Sequence, residues 1–244
     1  MILPDATAIA TEAADRLVVS LGQAVARDGV GHVALTGGSS AAALYARLGE
    51  PEQAADLDWS PIHLWWGDER YVPIDHPDSN AGSAAKSLTV PITADHVHPV
   101  PVDMAIEDGG PAVAAARYAE AVRAHVPPAE DGTPAFDVVL LGVGPDGHIL
   151  SVFPGSPALD ADSPLALAID APAHVAPHVP RVTLSPRILA AAGCVIVMVP
   201  GASKAAIVAQ VMGEVHDPHR WPAQLALRTN ATWLLDRESA AQLA

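Results

Sequence analysis

"HVALTGGSSAAALYARL" (residues 32–48) joins a β-rich run to a helical run through two glycines. The first part, HVALT (32–36), has the apolar composition of a short strand. The second part, GGSSAAALYARL (37–48), opens with glycines and continues with the alanines and leucines of a helix. A strand that turns directly into a helix is the building unit of α/β proteins.

The same alternation continues on both sides of this unit. Further strands are predicted at 62–66, 136–141, 165–169, 181–185, 194–200 and 231–236. Helices are predicted at 6–27, 80–88, 111–125, 186–192, 201–212 and 237–243. This order predicts a doubly wound, mostly parallel sheet with helices on both faces, a Rossmann-like α/β fold. We assign residues 1–244 to a single domain because no linker interrupts the pattern.

Composition excludes several classes of partner. The net charge of −15 argues against nucleic acid and anionic membranes, which both attract basic proteins. One cysteine, Cys194, leaves no partner for an intrachain disulfide. The first residues lack the basic start and unbroken apolar run of a signal peptide, and no run approaches the roughly 20 apolar residues of a membrane span. We therefore expect a soluble cytoplasmic protein, and a monomer.

Four polar loops follow predicted strands, and ligands of such sheets bind beyond the carboxyl ends of the strands. The loops are Thr36–Ser40, Gly67–Arg70, Gly142–His148 and Gly201–Lys204. We expect them to meet at one crevice.

The first loop, TGGSS, combines glycines with a helix start. Gly37 and Gly38 allow a ligand close to the backbone, and the helix N-terminus with Ser39 and Ser40 offers donors to an anion. A tight turn with Ser39 as N-cap explains the same residues equally well. A weaker alternative is a serine-esterase nucleophile elbow at Ser39.

Cations and carboxylates occupy the second and fourth loops. Asp68 and Arg70 stand at a strand end, where an arginine fork is suited to a phosphate or a carbonyl. Lys204 lies at a strand-to-helix turn, where an anionic ligand would offset its conflict with the helix dipole. Arg181 opens a strand and is a further candidate. Each of these charges could instead be an ordinary surface residue.

The third loop, GVGPDGH, places Asp146 two residues before His148. A carboxylate in that position can accept a ring N–H and orient the imidazole as a general base. An exposed histidine in a flexible turn is the alternative, which spacing alone disfavours only slightly. The histidines of HVH (96–98) lack a third metal ligand at a recognised spacing, so we predict no metal site.

Taken together, these motifs resemble the 6-phosphogluconolactonase family. ALTGGSS, WWGDERYVP with DSN after it, LLGVGPDGH with FPGSP, PRVTLS and GASKA occur in the family's order, from about residue 30 to 235. The wider superfamily includes glucosamine-6-phosphate deaminase and ribose-5-phosphate isomerase. The resemblance implies hydrolysis of 6-phospho-D-glucono-1,5-lactone to 6-phospho-D-gluconate in the oxidative pentose phosphate pathway, with a sugar phosphate as substrate and no metal or organic cofactor.

The resemblance also implies residue roles. It makes His148 the base, supported by Asp146, and it assigns substrate contacts to residues 37–40, Arg70, Arg181 and Lys204. Ile149-Leu150 replace the family's usual Thr-Ala. Phe153 stands where the deaminase has a catalytic Glu, and this favours the lactonase over a deaminase-like isomerase or a non-catalytic sugar-phosphate sensor.

Overall fold

A computed structural model of the protein describes residues 1–243. Its helices are α1 (Ala6–Asp28), α2 (Ser39–Leu48), α3 (Pro51–Ala54), α4 (Asn80–Ser87), α5 (Val102–Asp108), α6 (Pro111–His125), α7 (Ile188–Ala191) and α8 (Ala205–Val211). Its strands are β1 (Ile2–Leu3), β2 (Gly31–Leu35), β3 (Ile62–Trp66), β4 (Asp68–Arg70), β5 (Val97–His98), β6 (Val138–Gly142), β7 (Ala166–Ile169), β8 (Arg181–Leu184), β9 (Cys194–Val199) and β10 (Ala231–Asp236).

Seven strands form the main sheet in the order β1-β10-β9-β6-β2-β3-β5, and all of their pairings are parallel. The predicted doubly wound α/β fold is therefore confirmed. Because the strands are parallel, the loops that leave their carboxyl ends lie along one edge of the sheet. The assignment of residues 1–244 to a single domain stays a prediction.

Side chains of the central strands alternate between two cores. In β6, Val138 and Leu140 pack on the face covered by α1 and α2, whereas Val139 and Leu141 pack on the face covered by α6 and α8. Successive residues of a strand point to opposite faces, so a fully apolar strand serves both layers. This two-sided burial fixes the sheet rigidly under the loops that carry the polar residues.

A second, antiparallel sheet with the order β4-β8-β7 stands beside the carboxyl end of β3. Gly67 connects the two sheets: its N–H donates to Leu35 O at 2.8 Å, and its carbonyl accepts from Leu184 N at 2.8 Å. The register of the second sheet places Arg70 directly opposite Arg181. Two candidate cations are thus brought together by strand pairing.

Several local predictions were wrong. Residues 68–70, expected within a polar loop, form β4, because β8 pairs with them. The stretch 237–243, expected to be a helix, forms turns. There Ser239 N donates to the Asp236 side chain, and Asp236 N donates to Ser239 Oγ. Such side-chain bonds to the backbone compete with helix formation.

Candidate active site

A cavity of about 260 Å³ opens at the carboxyl ends of the strands. The predicted site residues that line it are Gly37, Gly38, Ser39, Ser40, Asp68, Arg70, His148, Arg181 and Lys204. The remaining one, Asp146, contacts the His148 ring. The four predicted loops therefore meet at one site, together with residues from β8.

The His148–Asp146 dyad is the chemical centre of this cavity. His148 Nδ1 lies 2.5 Å from Asp146 Oδ1, and His148 N donates to the same oxygen at 3.2 Å. Burial on its own would raise the pKa of Asp146, but hydrogen bonds and positive charge from His148, with a hydrogen bond from His174, bring it well below its usual range. An ionised Asp146 holds Nδ1 as the donor and leaves Nε2 of the ring as the basic nitrogen.

Glycines allow the loop to fold around this imidazole. A Cβ on Gly144 would overlap the His148 ring, so the close approach of ring and backbone requires glycine there. Gly144 N also donates to His148 O at 2.8 Å, which closes the loop. Gly147 has φ 83°, a left-handed conformation that glycine adopts without strain. The glycines of GVGPDGH therefore position the imidazole.

The two arginines keep part of their hydrogen-bonding capacity unused. Arg70 Nη1 donates to Asp78 O, and Arg181 Nη2 donates to Pro177 O, both at 2.9 Å. Within residues 1–243, the buried Nε atoms of both arginines have no partner. Burial lowers the pKa of Arg181, although the charge of Asp68 acts in the opposite direction. Two adjacent guanidinium groups with free donors are suited to an oxyanion.

Lys204 completes the cationic side of the cavity. Its Nζ donates to Val143 O at 2.6 Å, next to the loop that carries His148. Burial lowers the pKa of Lys204, while the charge of Asp146 raises it. The lysine is therefore held against the loop and presents its remaining donors to the cavity.

The TGGSS loop ends in the N-terminus of α2. Gly38, with φ 94°, is the N-cap residue, and no side chain caps the helix. The interpretation of Ser39 as N-cap is therefore wrong. Gly37 is required by a close approach, because a Cβ there would overlap the Asn80 side chain. The first N–H groups of a helix lack partners within it, so an anion in the cavity can accept them.

Sequence reasoning missed three polar residues at the site. Asn80 lines the cavity and donates from Nδ2 to Asp68 O at 2.9 Å. Ser151 Oγ donates to Asp68 Oδ2 at 2.5 Å and so orients that carboxylate. His174, from the loop before β8, contacts Asp146. Only Asn80 could have been found from the sequence, because it belongs to the DSN stretch (78–80) of the family motif.

Glu69, between two site residues, has a separate structural role. Its carboxylate accepts hydrogen bonds from Arg70 N, Asn80 N and Ala81 N and from Ser79 Oγ. Burial raises the pKa of Glu69 to about 7, against the effect of the three backbone donors. Glu69 thus ties β4 to the start of α4.

The unusual pair Ile149-Leu150 forms a tight turn behind the dyad. Val152 N donates to Ile149 O at 2.9 Å, and Leu150 adopts φ 55°, a rare left-handed conformation for leucine. Ile149 is fully buried in the core, while Leu150 lines the cavity. Ile149 and Leu150 therefore add apolar packing at the base of the site.

A second group of imidazoles lies toward the amino ends of β2 and β3. We name it the histidine cluster; it consists of His32, His63, His96, His98 and His125. His63 Nδ1 lies 2.9 Å from His98 Nε2, and the His98 ring stacks on Trp65 with centroids 4.0 Å apart. Among the side chains that the structure describes, which do not include that of Glu107, no group of three or more His, Cys, Asp or Glu has a metal-binding arrangement.

Comparisons with known proteins show the family and the fold of this chain. Residues 4–235 match the family described as glucosamine-6-phosphate isomerases/6-phosphogluconolactonase. The 6-phosphogluconolactonase of Mycobacterium tuberculosis is 39% identical over 99% of this chain and 97% of its own length. The crystal structure of 6-phosphogluconolactonase from Leishmania guyanensis superposes with a TM-score of 0.87 at 27% identity, covering 100% of this chain and 98% of that one.

A monomeric glucosamine-6-phosphate deaminase shares the fold as well. It superposes with a TM-score of 0.80 over 99% of this chain and 98% of its own, at 19% identity. This likeness shows that the deaminase has the same fold, and it shows nothing about activity. Separately, no helix among residues 1–243 is long and apolar enough to cross a membrane.

Proposed function

The chain belongs to the glucosamine-6-phosphate isomerase/6-phosphogluconolactonase family, and on this premise we propose that it hydrolyses 6-phospho-D-glucono-1,5-lactone to 6-phospho-D-gluconate. It is a 6-phosphogluconolactonase, a hydrolase of the oxidative pentose phosphate pathway that acts on a sugar-phosphate lactone. The observation that carries the proposal is an imidazole–carboxylate dyad on the wall of a cavity lined by three cations.

The substrate phosphate binds to the cationic side of the cavity. The N–H groups at Gly37–Ser40, Lys204 and one of the two arginines supply donors to its oxygens. Asp68, oriented by Ser151, accepts hydrogen bonds from sugar hydroxyl groups. This placement brings the lactone carbonyl next to His148, so that reaction occurs between groups already held in position.

His148 then acts as a general base. Its Nε2 removes a proton from a water molecule, and the hydroxide oxygen bonds to the lactone carbonyl carbon. Arg70 or backbone N–H groups stabilise the resulting oxyanion. The bond from this carbon to the ring oxygen breaks, and the imidazolium returns the proton to that oxygen. Asp146 stabilises the imidazolium throughout and stays ionised.

The related deaminase activity requires a different group. Phe153 stands where the deaminase has its catalytic Glu, and its ring packs 4.6 Å from the His148 ring, measured between centroids. An apolar ring at this position supplies no carboxyl group for that role. Ser39 likewise has no hydrogen bond to an imidazole within residues 1–243, which argues against a serine-esterase dyad.

The test is a coupled assay that detects 6-phosphogluconate from freshly generated lactone, corrected for spontaneous hydrolysis. We expect turnover of the phosphorylated lactone and far weaker turnover of unphosphorylated gluconolactone. Conversion of glucosamine 6-phosphate would support the deaminase instead. Binding of 6-phosphogluconate without turnover of any of these substrates would support a sugar-phosphate sensor.

Two expectations from the sequence remain proposals. We propose that the protein acts in the cytoplasm and that it acts as a monomer. Cell fractionation tests the first, and sedimentation velocity at micromolar concentration tests the second.

A further inference from the structure

His174 belongs to the loop between β7 and β8 and lies 28 residues from Asp146 in sequence, yet the two side chains are in contact. His174 Nε2 lies 2.7 Å from Asp146 Oδ2, while His148 Nδ1 lies 2.5 Å from Asp146 Oδ1. Each carboxylate oxygen therefore has one imidazole partner. The base dyad is the inner part of a row of imidazole, carboxylate and imidazole.

Packing supports the same arrangement. The Phe153 ring lies 4.6 Å from the His148 ring and 5.9 Å from the His174 ring between centroids, with its plane nearly perpendicular to that of His174. One aromatic side chain thus packs near both imidazoles. The orientation of the two rings is restricted by Phe153 as well as by Asp146.

Exposure differs along the row. The side chain of His174 is 56% exposed, whereas those of Asp146 and His148 are 16% and 14% exposed. The next two residues, Val175 and Ala176, line the cavity. His174 therefore covers the carboxylate from the solvent side and anchors one wall of the cavity to the dyad.

We infer that His174 is a positioning residue for the general base: it holds Asp146 Oδ2, keeps Oδ1 on His148 Nδ1, and takes part of the carboxylate charge. This inference rests on the proposed function, since it assigns a role in the same reaction. His174 makes no contact with the reacting atoms in this role. A second donor on a carboxylate that orients a catalytic histidine restricts its rotation.

The charges around the row define what His174 can do. Lys204 faces Asp146 from the turn before α8, and Arg181 lies over Phe153 with its guanidinium carbon 5.5 Å from the ring centroid. The pKa of Asp146 is far below its usual range, so the carboxylate stays ionised and does not pass a proton between the rings. His174 acts through the orientation and charge of Asp146.

This role predicts the direction of a pH effect. Without His174, the full charge of Asp146 acts on His148 and favours its protonated form. The acidic limb of the pH–rate profile then moves to higher pH. Loss of the hydrogen bond that orients Asp146 lowers kcat by about 3- to 10-fold.

Three variants separate this role from a general effect on the loop. His174→Ala removes the donor, and His174→Gln keeps an N–H donor without a titrating ring. His178→Ala is the matched control, because the His178 ring lies in the same loop but its hydrogen bond is with the backbone oxygen of Pro172 and not with Asp146. We expect the Gln variant to recover kcat to within about twofold of wild type, and the His178 variant to keep the wild-type pH profile.

NMR titration of the His148 ring, in wild type and in His174→Ala, gives a readout that needs no substrate. A higher titration midpoint in the variant supports the inference even if the lactone is not turned over, in which case only the proposed function fails. Equal midpoints overturn the inference. A loss of kcat with equal midpoints and no rescue by Gln overturns it too, since His174 would then only support the cavity wall.

Discussion

Histidines gather at two places in this molecule, and their neighbours give them opposite properties. At the carboxyl ends of the strands, His148 and His174 share the ionised carboxylate of Asp146. In the histidine cluster, imidazoles stack on each other and on Trp65. A carboxylate stabilises a protonated ring, whereas burial and neighbouring rings oppose it. The same side chain therefore pairs with an ionised carboxylate at one end of the strands and packs as a neutral ring at the other.

The pKa values of the cluster express this difference. Burial, together with repulsion from the other imidazoles of the cluster, lowers the pKa of His32, His63 and His98 to about 4. In the dyad, the pKa that shifts downward is instead that of the carboxyl partner, Asp146. Each of the four predictions below changes the cavity or the histidine cluster and is paired with a control variant.

The largest effect is expected at the dyad. Replacing His148 by Gln removes the general base, and kcat falls by about 10²- to 10⁴-fold, while binding of 6-phosphogluconate persists. His125→Gln, which removes a ring of the histidine cluster at the end of α6, serves as control and keeps wild-type turnover. Kinetics and calorimetry measure both; near-wild-type turnover in His148→Gln would show that the base is another group.

The histidine cluster is expected to control stability in acid. Unfolded histidines titrate near pH 6.5, so between pH 6.5 and 4 the unfolded chain binds more protons than the folded one. The free energy of unfolding therefore decreases as pH falls through this window, by about 3 kcal/mol for His32 alone. Above pH 6.5 the histidines are neutral in both states, and their contribution to the free energy of unfolding is fully present.

Urea unfolding at several pH values measures this effect. His63→Gln removes one titrating ring, and its free energy of unfolding should depend less on pH than that of wild type. His216→Gln changes an exposed histidine and should leave the dependence unchanged. Variants must be compared because Glu69 also affects the pH dependence of the free energy of unfolding. Burial raises the pKa of Glu69 to about 7, so its contribution to stability increases as pH falls, opposite to that of the histidines. Identical slopes in His63→Gln and wild type would contradict the prediction.

The next largest effect is expected from the backbone of the loop that holds His148. Gly144→Ala places a methyl group on the His148 ring, which must then move from its position beside Asp146. A displacement of this size lowers kcat by about 100-fold. Gly22→Ala in α1 is the control, because a Cβ there meets the Leu57 side chain at 3.9 Å, an ordinary contact distance, and Gly22 does not line the cavity. Equal activity of the two variants would show that the imidazole position is not critical.

The smallest effect is expected from Lys204. Lys204→Ala removes a cation from the cavity and raises KM for the phosphorylated lactone by about 10-fold with little change in kcat. Lys86, the other lysine of the chain, lies exposed at the end of α4, so Lys86→Ala is the control. An unchanged KM in Lys204→Ala would remove this residue from the phosphate site.

Much of the site could be predicted because its parts are local in sequence. GVGPDGH contains both members of the dyad and the glycines that bend around them, and TGGSS contains a complete helix start. Their convergence followed from the parallel sheet, since loops at carboxyl ends share one edge. These predictions needed no knowledge of tertiary contacts.

The remaining contacts depend on packing between distant segments. His174 and Ser151 reach the site from loops whose paths the hydrophobic pattern does not specify, so their contacts with Asp146 and Asp68 had no sequence signal. The strand Asp68–Arg70 forms only because β8 pairs with it. Composition offers Ser39 as one candidate for the N-cap, whereas the structure places Gly38 at that position.

The pairing of β4 with β8 sets Arg70 opposite Arg181, and like charges in that arrangement repel. An anion between them relieves the repulsion, so the ligand-free protein should gain thermal stability from phosphate itself. The same phosphate would compete with the sugar phosphate for the cavity. Phosphate buffer would therefore stabilise the purified enzyme during storage but inhibit it during an activity assay.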